Sequence, residues 1–410
     1  MAISGVSSSP NTPSVSPSKS TPKAAPTQEP ISTEPKDTVQ ITGGWLRGAL
    51  KNEKPGAMFA LDDFQPLGGQ AVPGPAATAE WMATHGGAVI DTAKKSGLQG
   101  DAIPLEINRP LSDAERTQRY GKMTELWNNG KTPEDFQQSL YERALNNRTR
   151  LLDNATASLD DLSDAGAHNS VVNISASGSQ AATVNNLLNS LRPKDPNDPE
   201  SVAAARAERA KFATAFGVND ADLSSEDKDI QGAARQKLFQ GVVDLVGSTQ
   251  NDPRFVESKS EYQAAVDHFE AGNNSVVVAA GNDGGVEKFW ENGAYGRDLK
   301  VSPEFQQNDL GVDNATVVGA ARDWEGKLYP AEYNNVYKGV DFYANAYQGD
   351  TTPKGDEGSS YAAPRVAAQM ANLHAAHPGL SSSQIENLMR NQQTGPLADY
   401  YGAPALPGLY

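Results

Sequence analysis

The sequence predicts an α/β fold built around a mainly parallel β-sheet. Short apolar runs alternate along the chain with longer segments of helical pattern, which is typical of this fold class. The apolar runs end in polar or acidic residues, as strands do when their carboxyl ends gather at one edge of a sheet. The chain has 410 residues, 38% of them hydrophobic, which is enough to form a sizeable core.

Five segments are predicted as buried strands. Each is an apolar run of strand length bounded by Gly, Asn, Asp or Ser. The first, GGAVIDTA, ends in Asp-Thr, and the second, NSVVNISASGS, ends in a small polar turn. The third, SVVVAAGNDGG, ends in a Gly-rich turn that carries an asparagine. In chain order the five cover residues 86–93, 169–179, 275–285, 314–323 and 339–346.

Helical patterns fill the long intervals between these strands. Residues 111–165 contain two segments with Ser or Thr caps and acidic residues in the first turn. Residues 180–268 are also mostly helical, and we interpret them as an insertion. A last long helix follows the Gly-Ser-Ser turn at residues 358–360. Residues 44–80 are rich in Gly and Pro and are predicted to be an irregular lead-in.

The first 40 residues have a different composition. About half are Ser, Thr or Pro, so the segment cannot bury enough apolar surface to offset its ordering entropy. We therefore predict a disordered leader over residues 1–40 and one domain over residues 41–410. Ser-rich disordered N-termini resemble those of bacterial type III secreted effectors. The expected localisation is secretion without a cleaved signal peptide, or the cytoplasm.

Composition excludes several classes of protein. The net charge of −16 argues against a nucleic-acid partner, which needs a basic face, and against an anionic membrane surface. The absence of cysteine excludes thiol catalysis, disulfides and cysteine-ligated zinc. No apolar run is long enough to span a membrane. The five histidines show no metal-ligand spacing, so no cofactor is expected.

The polar ends of the predicted strands suggest a site for acyl transfer. That chemistry needs a nucleophile, a base, a group that orients the base, and donors for the oxyanion. Ser360 begins a helix, whose positive end favours developing negative charge. Asn282 is placed to donate to the oxyanion, and Asp91 to orient an imidazole. Taken singly, each motif is more typical of a helix cap or a turn.

Taken in order, these motifs resemble those of the subtilisin-like serine peptidases. The segments AVIDTA, VVNISAS, VVVAAGNDG, VVGAARD and GSSYAAP look like five motifs of that family. The resemblance implies a three-layer subtilisin-like fold, with Asp91, Asn282 and Ser360 as catalytic residues. It makes Ser359 a replacement for the usual threonine. The implied substrate-binding segment is Ser175, Ala176, Ser177 and Gly178.

The family's histidine motif is missing from its expected place, because no histidine occurs between residues 92 and 167. On a strand, His85 would lie about 20 Å from Asp91. His168 would lie roughly 23 Å from the tip of its own strand. On the last helix, His374 and His377 would lie about 21 and 25 Å beyond Ser360. The fifth, His268, belongs to a helix that runs towards the far side of the sheet. We therefore expect weak or absent peptidase activity.

Three hypotheses follow for the function. The chain is a subtilisin-like peptidase homologue that binds a peptide ligand without cleaving it, or an active peptidase with a substitute base acting on a polypeptide substrate. Sedolisins, which resemble this arrangement, use a glutamate as base, and Glu115 and Glu125 are the candidates. In the third hypothesis the chain is an interaction protein delivered into a host cell. Calcium often braces this family, but no ligands can be assigned.

Overall fold

The structure is a computed structural model that describes residues 55–64, 84–109, 111–284, 299–324, 327–335, 337–348 and 356–391. All of these residues belong to one unit, Ile41–Tyr410. The leader predicted over residues 1–40 lies outside the described residues.

Seven strands and nine α-helices occur in the described part of the chain. The strands are β1 (Met58–Asp62), β2 (Ala102–Glu106), β3 (Val171–Ile174), β4 (Ser275–Ala279), β5 (Ala315–Trp324), β6 (Lys327–Pro330) and β7 (Phe342–Asn345). The helices are α1 (His85–Lys95), α2 (Asp113–Asn129), α3 (Pro133–Asp164), α4 (Gln180–Asn189), α5 (Pro199–Ala215), α6 (Lys228–Ser248), α7 (Pro253–Glu270), α8 (Ser359–Ala376) and α9 (Ser382–Asn391).

The strands form one mainly parallel sheet in the order β2-β1-β3-β4-β5-β6, with β7 also paired to β5. The β5–β6 pairing is antiparallel, and the other pairings are parallel. The α/β prediction is therefore confirmed. The predicted strands at 169–179, 275–285, 314–323 and 339–346 contain β3, β4, β5 and β7.

Helices cover both faces of the sheet, which makes three layers. Because side chains alternate along a strand, Phe59 and Leu61 pack on one face with α3 and α7, while Met58 and Ala60 pack on the other face with α1 and α8. A separate hydrophobic cluster joins the first half of α3 to α4, α5 and α6. Residues 180–268 are thus mostly helical as predicted, and their interpretation as an insertion stays a prediction.

One predicted strand is wrong. Residues 86–93 belong to α1, which Thr84 caps by accepting a hydrogen bond from the N–H of Gly87 at 3.2 Å. Nearly every residue from Gly86 to Ala93 is buried, so this part of the helix shows no polar face. A short apolar run of that kind does not distinguish a strand from a buried helix.

Two strands were missed near the N-terminal side of the domain. The segment predicted as an irregular lead-in contains β1, whose five residues are all buried. Strand β2 lies at the edge of the sheet and contains Pro104. Proline has no N–H to donate to a neighbouring strand, and an edge strand tolerates it because one of its sides has no neighbour. These two strands change which residues reach the functional edge of the sheet.

Candidate active site

The carboxyl ends of three neighbouring strands lie at one edge of the sheet. Leu61 of β1 pairs with Ile174 of β3, and Ile174 pairs with Val278 of β4. The residues that follow, Asp62 and Ser175 among them, are therefore level with one another. In a parallel sheet this is the edge at which sites form.

Asp62 and His85 form a hydrogen-bonded pair at this edge. The Asp62 Oδ1 atom lies 2.7 Å from His85 Nδ1, and the carboxylate side chain is only 4% exposed. The Gly86 N–H donates to the carbonyl of Asp63 at 3.0 Å, which fixes the start of α1 against the end of β1. The hydrogen bond to Asp62 raises the pKa of His85 above its ordinary value of 6.5. Since Nδ1 is bound to the carboxylate, Nε2 is the ring nitrogen left to accept a proton.

Ser360 lies in the first turn of α8, and the residue that follows it contacts His85. Its neighbour Tyr361 places its ring 5.6 Å from the His85 ring, measured between centroids. Pro364 cannot donate to the Ser360 carbonyl, which in a regular helix would be its partner. The Ser175 hydroxyl donates to that carbonyl instead, at 3.0 Å. Pro364 therefore lies beyond the first turn of α8, in which a missing N–H removes no hydrogen bond from the helix. The hydroxyl of Ser175 supplies the hydrogen bond that the Ser360 carbonyl would otherwise lack.

The two adjacent serines have different surroundings. Ser359 is 1% exposed, and its hydroxyl accepts from the Gly281 N–H at 3.0 Å and donates to Asn282 Oδ1 at 3.0 Å. The Ser360 hydroxyl makes no hydrogen bond to any residue that the structure describes, and Ser360 is 8% exposed. Of the two, Ser360 therefore has the hydroxyl that remains available for chemistry.

The side chain of Asn282 is held by its oxygen, and its NH₂ group donates to no residue in the described part of the chain. Its Oδ1 atom accepts from both the backbone N–H and the hydroxyl of Ser359, at 2.8 and 3.0 Å. Because the oxygen is occupied, Nδ2 is the end left to donate. Gly358 allows this approach, since a Cβ atom at that position would lie 2.9 Å from Nδ2.

The predicted substrate-binding segment divides into two parts. Ser175 is 4% exposed, and its hydroxyl accepts from Asn173 Nδ2 at 2.8 Å while donating to Ser360. The Gly178 N–H and carbonyl are bonded to Asn308 and Asp309, at 3.2 and 2.5 Å. Both residues therefore face the protein. Between them, Ala176 and Ser177 are partly exposed beside the Asn282 turn.

Asp91 does not join this cluster. It lies on α1, six residues after His85, and pairs with Lys95 at 2.9 Å with about a third of its side chain exposed. The prediction that it ends a strand is wrong. The calculated separation of about 20 Å between His85 and Asp91 assumed a strand and is therefore also wrong. His85 begins a helix, and its partner is Asp62 rather than Asp91.

Sequence reasoning missed Asp62 and His85, although both left a signal. The run MFALDD is an apolar segment that ends in two acidic residues, the same pattern that drew attention to Asp91. In the Thr-His-Gly sequence at the start of α1, Thr84 is the N-cap and His85 is the first helical residue. The Gly and Pro content of residues 44–80 predicts an irregular segment, and this obscures the first signal.

The other four histidines lie elsewhere. His374 is fully buried, with Nε2 2.9 Å from the hydroxyl of Ser275 at the opposite end of β4. His168, His268 and His377 are exposed. Among the described residues, no group of three or more His, Asp or Glu side chains is arranged to hold a metal ion, so we assign no calcium ligands.

A layered α/β fold with a serine at a helix start and a carboxylate–histidine pair beside it is the arrangement typical of serine peptidases. A family model described as the subtilase family, peptidase S8, matches residues 138–403, and the chain belongs to this family. The matched range contains Ser360 and Asn282 but not Asp62 or His85. Membership in a peptidase family implies a polypeptide as the class of substrate.

Solved structures with a similar fold include the following three proteins. MycP1 from Mycobacterium smegmatis has 12% identity and a TM-score of 0.41 over 89% of this chain and 82% of its own. A cold-adapted subtilisin-like serine proteinase has 14% identity and a TM-score of 0.38 over 87% and 91%. The nisin leader peptidase NisP from Lactococcus lactis has 12% identity and a TM-score of 0.38 over 88% of each chain. No curated protein matches the chain.

None of the helices in the described ranges has the length and apolar character that crossing a membrane requires.

Proposed function

We propose that the protein is an active serine peptidase with Ser360 as nucleophile, His85 as general base and Asp62 as the residue that orients the base. The observation that carries the proposal is the 2.7 Å contact between Asp62 and His85 beside the start of α8. It supports a base that the sequence alone does not reveal. Asp91 has no part in this mechanism.

The proposed reaction is acyl transfer to the serine. His85 Nε2 takes the proton of the Ser360 hydroxyl as its oxygen attacks the scissile carbonyl, and Asp62 stabilises the imidazolium that forms. The oxyanion accepts hydrogen bonds from Asn282 Nδ2 and from the N–H of Ser360 at the helix start. The protonated His85 then donates to the leaving amine, and water hydrolyses the acyl-enzyme by the same steps.

The main alternative is a protein that binds peptides without cleaving them. It was motivated by the absence of a base, and the Asp62–His85 pair removes that motive. The glutamate alternative is also weakened, because Glu115 makes its hydrogen bonds with Ser112 as the capping box of α2. Delivery as a secreted effector remains a prediction from the leader.

A fluorophosphonate probe tests the proposal directly. We expect it to label the wild-type protein and not Ser360→Ala, while Ser359→Ala is still labelled, because the Ser359 hydroxyl is engaged with Gly281 and Asn282 and the Ser360 hydroxyl bonds to no described residue. In a peptide hydrolysis assay Asp62→Asn should lower kcat by roughly 10⁴-fold and His85→Ala by about 10⁶-fold. Removal of the histidine in subtilisin lowers kcat by about 10⁶-fold, and an Asp-to-Asn change in a Ser-His-Asp triad lowers it by about 10⁴-fold.

Asp91→Asn is the matched control, since it removes a carboxylate near the same helix. It should leave kcat within about twofold, because its partner is an exposed lysine. An unlabelled wild-type protein that hydrolyses no denatured protein between about pH 6 and 10 would favour the peptide-binding alternative. A large loss in Asp91→Asn with little loss in Asp62→Asn would return the orienting role to Asp91.

A further inference from the structure

The turn that carries Asn282 has a backbone that is held from outside the turn. Gly281, the residue before it, has φ +109°, which favours glycine. A Cβ atom at residue 281 would also lie 2.4 Å from Nδ2 of Asn335. The turn thus depends on a glycine and on close contact with one buried side chain.

Asn335 bonds to the peptide groups on both sides of Asn282. Its N–H donates to the carbonyl of Gly281 at 2.9 Å, and its Oδ1 accepts from the N–H of Asp283 at 2.7 Å. Its Nδ2 donates to the carbonyl of Gln306 at 2.8 Å. Asn335 is 0% exposed, so a substrate cannot touch it.

The neighbouring asparagine anchors this contact to the centre of the sheet. Asn334 Oδ1 accepts from the N–H of Ala320 in β5 at 2.7 Å. Its Nδ2 donates to the carbonyl of Asn335 at 2.7 Å. Asn335 is therefore fixed to a strand paired on both sides, and the Asn282 turn is fixed to Asn335.

We propose that Asn335 is a positioning residue that sets the direction of the Asn282 amide towards the oxyanion. The proposal rests on the proposed function, since it concerns the same reaction. An oxyanion donor acts through preorganisation, and a displacement of about 1 Å lowers the rate by up to roughly 100-fold. The Asn335 side chain binds the N–H of Asp283, so Asn335→Ala frees that side of the turn to move, while the main-chain bond from Asn335 to Gly281 and the contact of Ser359 with the amide oxygen remain.

The kinetic test is a double-mutant cycle on kcat and KM with a peptide substrate. Asn335→Ala should lower kcat by about 10- to 100-fold with KM within twofold, because only transition-state contacts change. Asn282→Ala should lower kcat by about 10²- to 10³-fold. If Asn335 acts through Asn282, the double variant should match Asn282→Ala within about threefold.

Asn274→Ala is the matched control for a purely structural effect. Asn274 is an equally buried asparagine that bonds to Ser170, Ala167 and Phe269 at the opposite end of β4. It should lower the melting temperature as Asn335→Ala does, yet leave kcat unchanged. Should Asn335→Ala fail to fold, Gly281→Ala disturbs the same contact from the other side and should lower kcat similarly.

A second measurement does not depend on activity. Hydrogen exchange at the Asp283 amide should accelerate at least tenfold in Asn335→Ala and remain unchanged in Asn274→Ala. Unchanged hydrogen exchange in Asn335→Ala would show that the Asn335 side chain does not hold the turn. The positioning role is overturned if Asn335→Ala retains the wild-type kcat, or if the two single losses in kcat multiply in the double variant. A wild-type protein that the fluorophosphonate probe does not label refutes the proposed function, and the positioning role with it. The exchange result then still decides whether Asn335 holds the turn.

Discussion

At the scale of single residues, the proposed chemistry depends on the state of one imidazole. His85 can accept the serine proton only when it is neutral, and its pKa lies above 6.5 because Asp62 accepts a hydrogen bond from Nδ1. Burial of the ring acts in the opposite direction and is the smaller effect. The same contact that orients the base therefore also sets the pH at which it works.

We predict that the acid limb of the kcat/KM profile has its midpoint above pH 6.5. Below that midpoint His85 is protonated and activity is lost, so kcat/KM should rise with pH through the folded-state pKa. NMR titration of the His85 ring in an inhibitor-free sample provides a direct check, since the chain has only five histidines.

Asp62→Asn should shift this titration to lower pH, and Asp91→Asn should leave it unchanged. An acid limb well below pH 6.5 in the wild-type protein, or a midpoint that ignores Asp62→Asn, would contradict the assignment of Asp62 as the partner of His85.

At the scale of elements, one buried ion pair joins the helices to the edge of the sheet that carries the proposed site. Arg148 on α3 binds both carboxylate oxygens of Asp309, at 2.8 and 2.6 Å, and also bonds to Thr249 and Gln250. Both charged side chains are at most 4% exposed. The Asp309 N–H in turn donates to the carbonyl of Gly178. The pair therefore links α3 and the segment before α7 to the end of the β3 segment.

We expect Asp309→Ala to lower the free energy of unfolding by about 3–5 kcal/mol, because it leaves the Arg148 guanidinium buried without its carboxylate. Urea denaturation at constant pH is the measurement. Asp220→Ala is the control: it breaks the pair with Arg209, whose two side chains are each about a third exposed. That pair should contribute about 0–1 kcal/mol. Equal losses in the two variants would show that burial does not determine the strength of the Arg148 pair.

At the scale of the whole molecule, the edge of the sheet opposite the proposed site holds a group of half-buried acids. Glu270, Asp341 and Glu386 line a cavity of about 360 Å³ there. Burial raises the pKa of all three carboxyl groups, and that of Glu270 to about 7, with Glu386 and Asp267 adding repulsion. Burial lowers the pKa of His374 to about 4.

These groups act on stability in opposite directions. The folded state binds the Glu270 proton more tightly than the unfolded state, so its contribution is full below about pH 4.5 and is lost as the pH rises to about 7. For His374 the unfolded state binds the proton more tightly. Its contribution is therefore present above pH 6.5 and is lost as the pH falls to about 4.

We predict that Glu270→Gln reduces the fall in melting temperature between pH 5 and pH 8, because glutamine resembles the protonated acid and does not titrate. Calorimetry of both proteins at several pH values checks this. Glu257→Gln, which replaces an exposed glutamate on the same helix, should keep the wild-type pH dependence. If Glu270→Gln also keeps it, the raised pKa of Glu270 does not influence folding.

The sequence predicted most of the sheet and half of the proposed site. β3, β4, β5 and β7 have long apolar runs with distinctive ends, and the order of those ends led to Ser360 and Asn282. The strand β1 was missed because its five residues lie among Gly- and Pro-rich segments. The sequence of α1 predicts a strand because the helix is buried on nearly every side, which removes the helical periodicity.

The fold class and the turns that carry Ser360 and Asn282 follow from the sequence, because each is a local pattern of an apolar run and small polar residues. Which carboxylate meets which histidine depends on the tertiary structure. Asp62 and His85 lie 23 residues apart, and no local pattern joins them. They meet because parallel pairing brings the end of β1 to the functional edge, and the start of α1 bonds to that same end.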